Sequence, residues 1–164
     1  SSHGTWVAQG SIVTQSTTKT WMYTCVPTSA VTADVTVVFA ANAQGAMAVS
    51  VYNGVDQTTP VEAGSLTNGN NNSATPTIAL NAAVGDMAVT SMGQVSAGPH
   101  TATATQTERF NLSRVGGGTD TRSCGQDAVG TGSSIDFDWT MSGTDDWTMK
   151  GFILTAAVGA EDFK

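Results

Sequence analysis

Charge is scarce in this chain. Charged residues make up 12% of its 164 residues, about half of the roughly 25% usual in globular proteins. The polar surface must therefore be built from Thr, Ser, Asn, Gln and Gly. Such a surface keeps hydrogen bonding without long charged arms, which suits extracellular sandwiches and shells of many packed copies. Cationic residues are scarcest, 6 against 13 acidic, for a net charge of −7. They stand singly at Lys19, Arg109, Arg114, Arg122, Lys150 and Lys164. Nucleic acid demands clustered cations to neutralise phosphates, so binding to it is not expected, nor is binding to anionic lipid. No run approaches the ~18 apolar residues of a helical membrane span. The start, Ser1-Ser2-His3-Gly4-Thr5-Trp6, lacks the basic end and apolar stretch of a signal peptide. Either a leader has been removed or the protein is made in a cytoplasm and released by lysis.

Groups for chemistry are equally sparse. The histidines, His3 and His100, are isolated, and no G-x-S-x-G or comparable nucleophile turn exists. Asp136 and Asp138 lie two apart on a strand pattern, and Asp145-Asp146 falls in the turn that follows. Such carboxylates can form a glycosidase pair or a calcium site, but a solvated strand face and a hairpin turn account for them. Asp56 fits a local cap for its own loop. No catalytic residue, cofactor or metal ligand is predicted. There are 2 cysteines, Cys25 and Cys124. They are either a disulfide or two separate half-buried thiols. A bridge would close a loop of about 100 residues, worth roughly 4–5 kcal/mol by chain entropy. With no CxxC and no nearby histidine, zinc is not expected.

Helical periodicity is missing too. In its place stand short β-branched and aromatic runs between Gly, Asn, Asp and Pro clusters. Strands are predicted at Thr5–Val13, Lys19–Val26, Ala33–Ala40, Ala46–Asn53, Thr75–Leu80, Asp86–Met92, Ala104–Leu112, Ser134–Met141 and Trp147–Ala156. Ser134–Met141 has the clearest period of two, with Ile135, Phe137 and Trp139 on one face and Asp136, Asp138 and Thr140 on the other. Asn68–Ser73 and the stretch from Gly116 to about Gly132 are predicted as loops, the first an exposed tip. Short Gly-rich connections without crossover helices imply antiparallel pairing. The expectation is a single all-β domain over residues 1–164: an antiparallel, jelly-roll-like β-sandwich of about nine strands with little or no helix.

Several strings carry a resemblance. Tyr52 is followed by Gly54-Val55-Asp56-Gln57-Thr58-Thr59-Pro60-Val61. Further along come Gly85-Asp86-Met87-Ala88-Val89, Gln106-Thr107-Glu108-Arg109-Phe110-Asn111, and Trp139 and Trp147 ahead of Gly151-Phe152-Ile153-Leu154; Trp21-Met22-Tyr23 with Pro27 precedes them all. In this order they resemble a "GVDQTTPV"-type β-sandwich module of bacterial surface proteins and phage structural proteins. The resemblance covers nearly the whole chain and implies a lectin-like or jelly-roll-like sandwich without catalysis. Family members usually carry a strand or two before the segment matching Gly4–Val13. Either an N-terminal part has been removed, or the fold is left with an open edge that a neighbouring subunit is expected to complete by strand addition.

Candidate contact residues follow. Exposed aromatic rings stack on sugars or anchor interfaces, and Trp6 and Trp147 are the tryptophans not claimed by a core face; Trp21 and Trp139 fit core faces. Glu108 and Arg109 point to opposite faces of a strand and are candidates for an inter-subunit salt bridge. The expected role is a non-enzymatic structural protein that assembles with copies of itself and with a capsid or surface-layer subunit. A phage virion component, such as a capsid decoration or accessory head or tail protein assembled in the host cytoplasm, is its most concrete form. The alternative is an extracellular or cell-surface module that binds carbohydrate or adheres, with a glycan as partner.

Overall fold

The structure is a computed structural model that describes residues 4–29, 32, 34–38, 44–95, 100–102, 106–114 and 120–159. The chain is all-β, with antiparallel sheets and no helix among the described residues. The described residues form twelve strands: β1 (Trp6–Ala8), β2 (Val13–Gln15), β3 (Thr18–Thr20), β4 (Tyr23–Cys25), β5 (Thr67–Ser73), β6 (Thr77–Asn81), β7 (Met87–Gln94), β8 (His100–Ala102), β9 (Thr107–Arg114), β10 (Thr121–Val129), β11 (Ser134–Met141) and β12 (Asp145–Leu154). A five-stranded sheet of order β5-β12-β7-β10-β9 faces a three-stranded sheet of order β6-β11-β8. Two small ribbons, β1-β4 and β2-β3, complete the architecture.

The main core lies between the two larger sheets. Alternation along β11 turns Phe137, Trp139 and Met141 inward and leaves Ser134, Asp136 and Thr140 exposed. Ile78 and Leu80 of β6 and Trp147, Met149 and Ile153 of β12 meet them. Burying a ring such as Phe137 is worth roughly 2–3 kcal/mol by area. The five-stranded sheet is covered on its other face as well. There Met87, Val89, Phe152 and Leu154 pack with Val55, and Met22, Tyr52 and Val61 lie over them. A sheet covered on both faces needs apolar residues in both registers, which is why β12 is buried from Trp147 to Leu154.

The string Gly54–Val61 is a loop clamped onto the end of β12. Val55 bridges Ala156 and Val61 bridges Leu154. Asp56 N–H donates to Thr155 O at 2.9 Å, and Ala157 N–H to Gly54 O at 2.7 Å. The Asp56 carboxylate accepts from the N–H groups of Thr58 and Thr59 at 2.7 and 3.0 Å, the local cap expected of it. Those same bonds, Thr59 first and then Thr58, hold its pKa below the usual carboxylate value.

Six predicted elements differ from the structure. Asn68–Ser73, expected as an exposed tip, lies in β5 and pairs with β12 along its length. Residues 121–129, expected as irregular, form β10. Ala46–Asn53, expected as a strand, belongs to none, and neither do residues 34–38. Thr5–Val13 and Lys19–Val26 break into four short strands. Ala33, Phe39, Ala40, Ala104, Thr105 and the loop residues Gly116–Thr119 lie outside the described residues.

Candidate interaction surface

The β1-β4 ribbon pairs Trp6 with Cys25, Val7 with Thr24 and Ala8 with Tyr23. Residues directly opposite share a face, so Trp6, Ala8, Tyr23 and Cys25 form one side. Trp6 is 48% exposed and Tyr23 53%. Trp21, two residues before Tyr23, is also exposed, while Met22 between them packs onto the second core cluster. The ribbon is thus fastened through Met22 and presents aromatic rings to solvent. Gln9 holds its two sides together: its amide donates to Thr24 Oγ1 at 2.6 Å, and its N–H donates to Met22 O at 2.9 Å.

A charged cluster sits on the outer face of the five-stranded sheet. Asp127 of β10 is 1% exposed, and two donors meet its carboxylate. Tyr52 Oη–H donates to Oδ2 at 2.8 Å and Arg109 Nε–H to the same oxygen at 2.5 Å. A β-bulge makes the second contact possible. Gln126 pairs with Glu108 and Gly125 with Phe110, so Arg109 is the extra residue, turned onto Asp127. Burial, followed by the Asp127 charge, pushes the Tyr52 hydroxyl above its ordinary pKa. Its hydrogen bond to Asp127 raises Arg109 likewise. Arg109, an expected interface residue, thus spends its Nε on a partner within the chain. Glu108 is exposed on β9 and accepts from Asn111 Nδ2 at 3.1 Å.

Lys150 is a second buried charge. It is 1% exposed, and its Nζ donates to Ser11 O at 2.5 Å. Burial lowers its pKa. Its stem lies beneath the loop joining β1 and β2, so it anchors that loop to the sheet. Beside it, Thr20 Oγ1 and Thr148 Oγ1 share a 2.7 Å hydrogen bond that seats β3 on β12.

Other expected site residues are structural. Trp147 is 4% exposed within the main core, and its indole N–H donates to Ser73 Oγ at 2.9 Å. It cannot stack on a glycan. Trp21 reverses the other way, from an expected core residue to an exposed one. The bridge considered between Cys25 and Cys124 is not formed. Cys124 is buried in the main core on β10, where burial raises its thiol pKa, and Cys25 is half-buried on the ribbon. His100 is buried on β8, edge-on to Trp139 with ring centroids 6.4 Å apart; His3 lies outside the described residues. Asp145 and Asp146 accept from Gln94 Nε2 at 3.1 Å and Asn72 Nδ2 at 2.9 Å. Among the described residues, no three His, Cys, Asp or Glu side chains are grouped to hold a metal ion.

Sequence reasoning missed Tyr23 as a surface residue and Asp127 as a charge centre. Tyr23 was half legible: the alternation puts Trp21 and Tyr23 on one face and Met22 and Thr24 on the other, without saying which face meets the body. Asp127 gave no warning, since its neighbours carry no alternation. The geometry defines an all-β protein with an exposed aromatic ribbon and two buried charges, Asp127 and Lys150, satisfied within the chain. No protein-family model, no curated protein and no solved structure matches the chain.

Proposed function

We propose that this chain is a non-enzymatic structural subunit that works by binding neighbouring subunits. Its most specific form is a phage virion component, a capsid decoration or accessory head or tail protein. The supporting observation is the aromatic ribbon: Trp6 and Tyr23 stand 48 and 53% exposed on a small two-stranded sheet, and Trp21, just ahead of β4 in the chain, is 42% exposed. Large aromatics are the favoured anchors of interface centres, where few residues carry most of the binding free energy. Low charge and a Thr/Asn/Gly surface let many copies pack without strong mutual repulsion. Added subunits stabilise a shell by mass action.

Electron microscopy of the native particle carrying this chain tests the reading, together with Trp6→Ala and Tyr23→Ala. Both variants are expected to melt like the wild type, within about 0.5 kcal/mol, and to lose occupancy on the particle, at about 2 kcal/mol or more for a true anchor. Full occupancy by both variants would sink it. The same exposed rings favour a second reading, a carbohydrate-binding or adhesive module at a cell surface. A glycan-array signal lost on Trp21→Ala, without any particle association, selects that one.

A further inference from the structure

We propose that Asn53 is a site of spontaneous covalent modification: its carboxamide closes onto the backbone nitrogen of Gly54, and the residue is converted to an aspartyl or isoaspartyl one. Water is the only co-reactant. The site is independent of the subunit role proposed above.

Two Asn-Gly steps occur in the chain, Asn53-Gly54 and Asn68-Gly69. An asparagine carboxamide reacts with the backbone nitrogen of the residue after it, and glycine, without a Cβ, leaves that nitrogen open to close approach. The two steps are alike in sequence and opposite in structure. Asn68-Gly69 lies within β5, where Asn68 pairs with Lys150 and Gly69 with Met149. Gly69 is also packed so tightly that an added Cβ would stand 2.6 Å from Ile78 Cγ2 and 3.1 Å from Trp147 Cζ3. An extended strand holds ψ at about +135°. Ring closure needs rotation away from that value, so β12 must first release this stretch.

Asn53-Gly54 is under no such restraint. Residues 44–54 belong to no strand, and Asn53 is exposed. Neither the Asn53 carboxamide nor the Gly54 N–H makes a hydrogen bond among the described residues. Gly54 sits at φ +80°, a left-handed conformation that glycine adopts without strain. The chain is held on either side of the step and not at the step itself. Tyr52 Oη–H donates to Asp127, and Gly54 O accepts from Ala157 N–H at 2.7 Å.

The chemistry balances with water alone. The Gly54 nitrogen bonds to Asn53 Cγ while the Cγ–Nδ2 bond breaks. The departing amide group takes the Gly54 N–H proton, by way of solvent, and leaves as ammonia. A five-membered succinimide remains. Water adding at Cγ opens the ring to an aspartyl residue. Water adding at the main-chain carbonyl opens it to an isoaspartyl one. Both products carry a new carboxylate beside the Tyr52 anchor. The isoaspartyl form also lengthens the main chain by one carbon between Tyr52 and Gly54.

The test uses the full chain, aged in mildly alkaline buffer and mapped by proteolysis and mass spectrometry. Electron-transfer fragmentation separates aspartyl from isoaspartyl peptides. Position 53 is expected to react at least about tenfold faster than position 68, because the strand must open locally before Asn68 can close a ring. Both products are expected at 53. In urea, where β5 is lost, the two positions are expected to react at similar rates. Gly54→Ala is expected to slow the reaction at 53 several-fold by shielding the attacked nitrogen. If that variant melts lower than the wild type, Asn53→Gln, which would need a six-membered ring, is expected to leave position 53 unchanged over the same period. Equal rates at 53 and 68 in the folded chain overturn the proposal. So does an aspartyl product without any isoaspartyl form, or an undiminished rate in a folded Gly54→Ala chain.

Discussion

Arg109 and Asp127 are bonded to each other but differ in what surrounds them. The Arg109 side chain is 44% exposed, and that of Asp127 1%. Removing the arginine strands a buried carboxylate with only Tyr52 to satisfy it. Removing the acid releases an arginine that can turn to water. A buried charge left unpaired costs more than the pair itself contributes. Arg109→Ala is therefore expected to destabilise by about 2–3 kcal/mol, and Asp127→Asn, which keeps a hydrogen-bond acceptor for Tyr52, by about half that. Urea denaturation of the two variants checks the order; equal losses would refute it. Tyr52 adds a pH dependence. Its hydroxyl is held above the ordinary tyrosine pKa in the folded state, so folding favours the neutral form. That stability is complete below about pH 10, where free tyrosine ionises, and is lost as pH rises beyond it. Tyr52→Phe is expected to flatten the alkaline loss of stability measured by denaturation.

Among the elements, legibility followed the number of faces in contact with water. β11 has one wet face, and its period of two was visible at once in Ile135, Phe137 and Trp139. β10 runs through buried Cys124, Gly125, Gln126 and Asp127 with both faces covered, so no alternation reported it. β5 contains Asn, Gly, Thr and Ser, and its pairing with β12 overrides that turn-like composition. The reverse error fell on 46–53, where an apolar alternation exists but the segment belongs to no strand. The ribbon was half visible: Trp6 was an expected contact, but exposure of Trp21 and Tyr23 depends on which side of β4 meets the body. Gly125 carries the prediction at this scale. The Phe110 ring lies over it, and an added Cβ would stand 2.3 Å from Cε1 and 2.9 Å from Thr90 O. Gly125→Ala is expected to cost roughly 1–3 kcal/mol by overpacking, seen as a lowered melting temperature; an unchanged one would mean that the bulge relaxes freely.

For the molecule as a whole, stability rests on packing between sheets and not on a covalent staple. With Cys25 and Cys124 unbridged, thermal unfolding is expected to be the same with and without reductant. A melting temperature lowered by reductant would reveal a bridge, whose chain-entropy worth would be about 4–5 kcal/mol. Cys124, buried in the main core, is expected to resist a thiol reagent until the chain unfolds, with labelling followed by mass spectrometry. All-β architecture was readable from the sequence because the pattern of short apolar runs excludes helices everywhere. Sheet order was not, since it depends on which distant strands meet.

That order has a consequence for biosynthesis. β12 lies between β5 and β7, and its partners precede it by more than fifty residues in sequence. During translation, β5 and β7 leave the ribosome facing a gap that only residues 145–154 fill. β7, β10 and β9 can pair before that, but β5 joins the sheet only once β12 has been made, a long-range closure of the kind that makes folding slow. Until then the nascent chain leaves β5 and one edge of β7 unpaired, and a ribosome stalled before Asp145 would release a chain unable to join β5 to the rest of its main sheet.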